Sequence, residues 1–246
     1  MLRKAYPILC GVAMVMLFSG VAFAAEEEGA HAVSTKSWLD LFKATGFVGI
    51  LLLLLSIIGT ALLIQYMVNI NVAKLGNPAL LSEVEALLSE GDFDGAFALA
   101  ESDQSFAGKL AAGAISRSAG GYEEARKGME EAAAIESFRV NAKISYLSLV
   151  GNVGPLLGLL GTVTGMISSF QVIETLAAPT PADLAVGVYE SLVNTTMGLF
   201  ISIVFLSAYF FMKNKVADIT LNIVNSVGEL LSRTMAVEGG QQAKGK

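Results

Sequence analysis

With 246 residues, 54% of them hydrophobic and 15% charged, and a mean hydropathy of +0.62, the chain is too apolar for an ordinary soluble domain and reads as an integral membrane protein. A net charge of −6 offers nothing to nucleic acid, and one Cys with one His cannot build a disulfide framework or a Cys/His metal centre.

Residues 1–24 have basic Arg3 and Lys4, an apolar run to Val21 and the small-x-small triplet Ala22-Phe23-Ala24. This pattern predicts a secretory signal peptide cleaved after Ala24, an uncleaved first span being the alternative. Removal would take Cys10 with it and leave no thiol. Residues 25–45 are expected to form a periplasmic segment. It opens on Glu26, Glu27 and Glu28, carries a solvated His31, and ends in a short amphipathic helix with Trp38 at the membrane interface.

Residues 46–70 form the first predicted transmembrane helix, with Leu51 to Leu55 uninterrupted and only Ser56, Gly59, Thr60 and Gln65 as relief. A cleaved signal peptide makes it run from outside to inside. Residues 71–143 have the composition of a cytoplasmic helical domain. Asn77-Pro78 opens a helix, Gly91 breaks it, and DFDGAFALAESD begins the next, with no repeat at the period of a helical array. A long helix is predicted to start near Tyr122, to lose its charges after Lys143 and to enter the membrane at Ile144, with a kink at Pro155.

Residues 144–174 and 185–212 supply the second and third transmembrane helices, joined by an outer loop at 175–184 that has no Lys or Arg. Residues 213–246 continue as an amphipathic cytoplasmic helix and a disordered EGGQQAKGK tail. Lys74, Arg139, Lys143, Lys213 and Lys215 flank the inner ends of the spans, so the positive-inside rule agrees with the signal peptide and puts the C-terminus in the cytoplasm. The fold class is an all-α membrane protein with three transmembrane helices and long cytoplasmic helical extensions.

The second and third spans carry stripes of small and hydroxyl residues. On one they are Gly154, Gly158, Gly161, Thr162, Gly165, Ser168 and Ser169; on the other, Gly187, Ser191, Asn194, Thr195, Gly198 and Ser202, with Glu190 at the edge. At ~100° per residue each set falls on one broad face, which should meet protein or water and not lipid. Close helix packing accounts for the glycines. Glu190 and the Thr162/Thr195 pair ask for more, because an ionisable group at mid-membrane costs ~2.5–3.5 kcal/mol on the lenient insertion scale, although a structural role between subunits remains open for Glu190.

The run GPLLGLLGTVTGMISSF, followed in the next helix by YESLVNTTMGLFISI, resembles the MotA/TolQ/ExbB proton-channel family and most closely its ExbB/TolQ branch. The resemblance covers the hairpin and, more weakly, the topology after residue 40. It implies that Thr162 and Thr195 line a pore between subunits and that Glu190 is the acidic residue preceding that threonine. Asn194 and Thr196 depart from the branch pattern, where alanine is usual; they make the pathway more polar and leave the ion open between proton and sodium.

The resemblance further implies a homopentamer in the bacterial inner membrane. Its partners would be a single-span ExbD- or TolR-like subunit bearing a membrane aspartate, and a TonB- or TolA-like protein that carries the motion outward, in TonB-dependent outer-membrane transport or Tol-type envelope maintenance. No Asp lies in any span, so this chain would supply the polar wall and the partner the proton carrier. A non-conducting scaffold or transporter accessory is the alternative, as is a flagellar, gliding or sodium-coupled stator of the same family. No enzyme and no cofactor are expected: GLLGTVTG lacks the lysine of a phosphate-binding loop, and no Ser-His-Asp or H-E-x-x-H set occurs.

Overall fold

A lone helix that is apolar on every face is stable only in lipid or deep inside protein, and the first described helix is of this kind. The computed structural model describes residues 46–244 apart from 177 and 179. The predicted signal peptide at 1–24, the segment at 25–45 with His31 and Trp38, and Pro179 of the loop lie outside the described residues.

Helix α1 (Gly46–Asn69) buries Val48, Leu52, Gly59 and Tyr66 against its neighbours and exposes Ile50, Leu54, Ile57, Ile58 and Ile64. It makes a close approach at Gly59, where a Cβ would stand 2.6 Å from the ring of Phe205.

A short α2 (Val72–Gly76) then turns through Asn77, which holds the left-handed φ of 31°, into α3 (Pro78–Glu90). Pro78 opens α3, where a missing N–H costs nothing. Gly91 closes it at φ 82°, its N–H returning to the carbonyls of Leu87 and Leu88. Helices α4 (Phe93–Ser102) and α5 (Phe106–Ile115) follow, capped by Asp92 accepting from Gly95 N at 2.9 Å and by Ser105 accepting from Gly108 N at 3.1 Å. Leu80, Val84 and Leu88 pack on Ala96, Ala100, Ala111 and Ile115 to give this domain its own small core.

Asp103 joins the caps together. Its carboxylate accepts from Asn77 Nδ2 at 2.6 Å and from Ser105 N at 2.5 Å. Partial burial alone would raise this carboxyl, but the bonds from Ser105 and Asn77 and the nearby Lys109 outweigh it and hold the group below the usual carboxylate range. A depressed folded-state pKa contributes stability that is present above the unfolded value of ~3.9 and is lost as pH falls through the folded value. Asp103→Asn is therefore expected to cost about 1 kcal/mol at neutral pH and to flatten the loss of helicity on acidification below ~4. Circular dichroism across an acid titration of both proteins reads this out.

Two long helices complete the chain. Helix α6 (Tyr122–Thr175) has 54 residues and α7 (Pro181–Lys244) has 64, so at ~1.5 Å per residue they run about 80 and 95 Å, far more than a bilayer needs. Each crosses a membrane and serves the helical domain with the same rod. The apolar stretch of α6 begins after Lys143 and that of α7 ends before Lys213. Three helices, α1, α6 and α7, are long and apolar enough to cross a membrane.

On the side of the helical domain, Phe106 and Leu110 of α5 and Met129 of α6 join Val216, Ile223 and Val227 of α7 in the largest core cluster. The α5–α6 crossing is a backbone contact: a Cβ on Gly113 would meet Gly128 O at 2.9 Å. The surface of α6 here carries the ion pairs Arg126–Glu130 at 2.9 Å and Lys127–Glu124 at 2.7 Å, both solvent-exposed and worth little each.

Three details differ from expectation or sharpen it. Helix α7 begins at Pro181 instead of 185, because a proline in the first helical turn fixes φ and sacrifices no bond. It also continues to Lys244 where a disordered tail was expected. Once a helix is formed each residue adds a bond, and Gly239 and Gly240, at about 1 kcal/mol each, do not end it among good helix formers such as Gln and Ala. Pro155 leaves α6 unbroken as one helix.

Candidate functional site

The glycine stripes of α6 and α7 face one another, and the spacing is set by backbone. A Cβ on Gly154 would stand 2.8 Å from Gly198 O, and one on Gly198 would stand 2.5 Å from Gly154 O and 3.0 Å from Gly158 Cα. One turn on, a Cβ on Gly158 would meet Thr195 Cα at 3.0 Å, and one on Gly161 would meet Asn194 Cβ at 2.6 Å. Toward the loop, Gly165 faces the Ser191 hydroxyl and Gly187 faces that of Ser169. All six predicted packing glycines thus lie in one seam, which lets the two helices touch without lipid between them.

Polar side chains fill the same seam. Ser169, Ser191, Asn194 and Ser202 are all buried there. The single Ser191 Oγ–H proton points to Gly187 O at 2.7 Å and is shared at most weakly across the seam with Thr162 O at 3.3 Å. Thr195 Oγ1 donates across it to Gly158 O at 3.2 Å. These bonds tie the third span to the second at the two positions where the sequence places a polar wall.

The predicted ion-pathway residues are not all in one place. Thr162 and Thr195 are half-buried on the flanks of the seam, so part of each side chain remains accessible. Thr162 Oγ1 donates to Leu159 O of its own helix at 2.7 Å. Asn194 lies inside the seam at 4% exposure, against Gly161. Thr196 is exposed on the outer side of α7, its hydroxyl turned back to Leu192 O at 2.9 Å. Glu190 is half-buried, and among the described residues no ion pair involves it.

Two close approaches were not visible in the sequence. Gly151 meets Leu206, whose Cγ would stand 2.7 Å from a Cβ at Gly151, and Gly59 meets Phe205. Gly151 continues the α6 stripe by one more turn below Gly154 and could have been found by extending it; Gly59, alone in a leucine and isoleucine run, has no periodic companion. Among the described residues no group of three or more His, Cys, Asp or Glu could hold a metal.

Residues 101–225, which include the whole seam, match the family model described as the MotA/TolQ/ExbB proton channel family. Several curated proteins align with the chain, among them the following three. The Tol-Pal system protein TolQ of Pseudomonas aeruginosa is 36% identical over 87 residues, covering 35% of this chain and 38% of that one. The putative biopolymer transport protein ExbB homolog of Methanothermobacter thermautotrophicus is 26% identical over 183 residues, covering 73% of this chain and 64% of that one. The biopolymer transport protein exbB1 of Vibrio cholerae is 39% identical over 79 residues, covering 30% and 35%. The chain thus spans between about a third and two thirds of the length of the relatives it matches. With the family model covering half the chain, three helices fit to cross a membrane, and the seam falling inside the matched region, the chain belongs to the MotA/TolQ/ExbB proton channel family, in its ExbB/TolQ branch.

Proposed function

We propose that this chain is a proton-channel-type stator subunit of the inner membrane, which converts the proton-motive force into mechanical work on the envelope. One observation carries the reading. The predicted spans within α1, α6 and α7 hold only two titratable carboxylates, Glu174 and Glu190, each within six residues of the outer end of its span, and the remainder, at 46–69, 144–173 and 191–212, has no carboxylate, amine or imidazole. A chain of a proton-channel family that is built this way supplies a polar but uncharged wall, and the group that carries the proton comes from a second protein.

The seam supplies what such a wall needs. It is rigid, because glycine backbones are in contact, and it bears hydroxyls at Thr162 and Thr195 on its flanks. One charge falling through ~100 mV releases ~2.3 kcal/mol, the scale of the bias between two packings of helices. The partner that fits is a small single-span protein with a membrane carboxylate, and several copies of this chain, a pentamer by family resemblance, would surround it. The motion would pass outward through a TonB- or TolA-like protein, in outer-membrane transport or envelope maintenance; the relatives' names, TolQ and ExbB, point to both.

Native mass spectrometry of the complex, extracted gently from its own membrane, tests this. The expected composition is five copies of this chain with two of a small single-span protein carrying a membrane carboxylate. A chain that emerges alone, or bound to an unrelated permease, contradicts it and leaves the seam as a packing device of a scaffold.

A further inference from the structure

Helix α6 carries a second polar face, outside the glycine seam. At ~100° per residue, Ser137, Asn141, Ser145, Ser148 and Asn152 fall within one sector about 80° wide. Asn141, Ser145 and Asn152 are exposed and Ser137 and Ser148 half-buried. The buried Ile144, Leu147 and Gly151 border this sector on one side, and the exposed Phe138, Tyr146 and Leu149 border it on the other. The polar face begins among the charges of the helical domain and does not stop where they end. Asn152 lies eight residues past Ile144, ~12 Å into the apolar stretch.

Hydrogen bonds within the helix use only part of this face. Asn141 Nδ2 donates to Ser137 O at 2.8 Å and Ser145 Oγ to Ala142 O at 2.7 Å. Asn152 Nδ2 donates to Ser148 O at 2.8 Å and lies 3.2 Å from Ser148 Oγ. Among the described residues none donates to Asn152 Oδ1 and none accepts the Ser148 hydroxyl proton. Pro155 stands in the same sector and has no N–H to give, so the Gly151 carbonyl one turn back adds a lone pair to it. An exposed amide oxygen at this depth is costly against hydrocarbon, whereas water satisfies it.

The sector changes character beyond Asn152. Outward from there it holds Leu159, Val163, Met166 and Phe170, all exposed and apolar. Thr162, half-buried, sits at its edge, where it borders the seam. One strip of the helix surface is thus polar from the helical domain to mid-membrane and apolar from there to the opposite side.

We propose that Ser145, Ser148 and Asn152 line a water-filled groove that opens only toward the helical domain and gives a small cation beside Thr162 its route to the solution on that side. This rests on the stator reading and deepens it by naming the side chains of one limb of the pathway and the side to which that limb opens. Hydroxyl and amide groups suit such a limb because they solvate a cation by their oxygens without holding it by a fixed charge. The apolar residues beyond keep water from running through, so an open leak across the membrane does not follow. A helix of a second copy laid along the sector would exclude water instead, and that is the contrary outcome of the test.

The test uses the intact complex in native membrane vesicles of both orientations, in a Cys10→Ser background and in nitrate buffer. Single cysteines are exposed to silver ion, a thiol-reactive cation small enough to follow water, and the thiols left over are alkylated after denaturation. The thiolate is the reactive form and apolar surroundings suppress it, so Asn152→Cys should react at least about tenfold faster than Leu149→Cys or Val163→Cys. Leu149 is nearer the helical domain but on the apolar side, and Val163 is in the same sector beyond the polar part, so depth alone predicts a different order. The fast reaction should occur only with silver on the side of the helical domain, and it should block proton uptake by the Asn152→Cys complex while sparing Leu149→Cys. Ser148→Cys replaces Asn152→Cys if the latter does not assemble.

Reaction of the position 152 or 148 thiol no faster than that of Leu149→Cys, or equally fast from both sides, overturns the groove and leaves the stator reading standing. Fast one-sided reaction in a complex whose unsubstituted form takes up no protons keeps the groove and overturns the stator reading.

Discussion

Replacing Gly198 by alanine is expected to lower the thermal midpoint of the detergent-solubilised protein by roughly 4–8 °C, whereas Gly76→Ala should leave it unchanged or slightly raised. Both substitutions add one methyl group to a helix, and both gain up to ~1 kcal/mol of helix propensity. They differ in what the methyl meets. At Gly198 it would stand 2.5 Å from Gly154 O and 3.0 Å from Gly158 Cα, which are backbone atoms of the facing helix and cannot rotate aside. The helices must separate, along a seam whose other contacts depend on the same spacing.

Overpacking of this kind costs ~1–3 kcal/mol or more, and here the upper end applies, so it exceeds the propensity gain. At Gly76 the nearest atom is Ile223 Cγ1 at 3.5 Å, an ordinary contact. Equal melting of the two variants would mean that the seam is not set by backbone contact.

The second large effect is expected at Thr195→Val, which should abolish energised function while the protein still assembles. Valine keeps the branched shape and removes only the hydroxyl. The structural loss is one hydrogen bond to Gly158 O, and in membrane proteins such bonds average about 0.6 kcal/mol. Gly158 O lies in mid-helix and keeps its own amide partner, so no acceptor is stranded. That loss is small beside the contacts that run along α6 and α7. On the proposed pathway the functional loss is large, because an apolar group would then face the position through which a proton-bearing group is proposed to pass. Cells carrying Thr195→Val at wild-type protein level, but without energised uptake or envelope integrity, are the expected result; unimpaired cells would remove Thr195 from the pathway.

Much of this architecture was legible in the sequence because lipid leaves few options. The three spans, the long charged approach of α6 from Tyr122 and the break at Gly91 all follow from hydropathy, charge and glycine punctuation. The glycine stripes were legible as packing faces because small residues recur at helical spacing, and the structure brings Gly154, Gly158, Gly161, Gly165, Gly187 and Gly198 together in one seam.

What the sequence left out was pairing. Nothing in a stripe says that Gly198 meets Gly154, or that Thr195 reaches Gly158 and not its own helix. Asn194 and Thr196 sit two residues apart in the motif, yet the ~100° step per residue carries one into the seam and the other to the outer face. The Gly113–Gly128 and Gly59–Phe205 contacts were invisible for the same reason, since a single glycine carries no periodicity.

The central claim, that protons pass along the flank of this seam, is tested most directly by proton uptake into vesicles reconstituted with the purified complex under an imposed potential. The wild-type complex should acidify the lumen above the protein-free baseline, and the Thr195→Val complex, matched for subunit composition, should fall to that baseline. Uptake that persists undiminished in Thr195→Val, or that never rises above the baseline in the wild type, would contradict a proton pathway at this site.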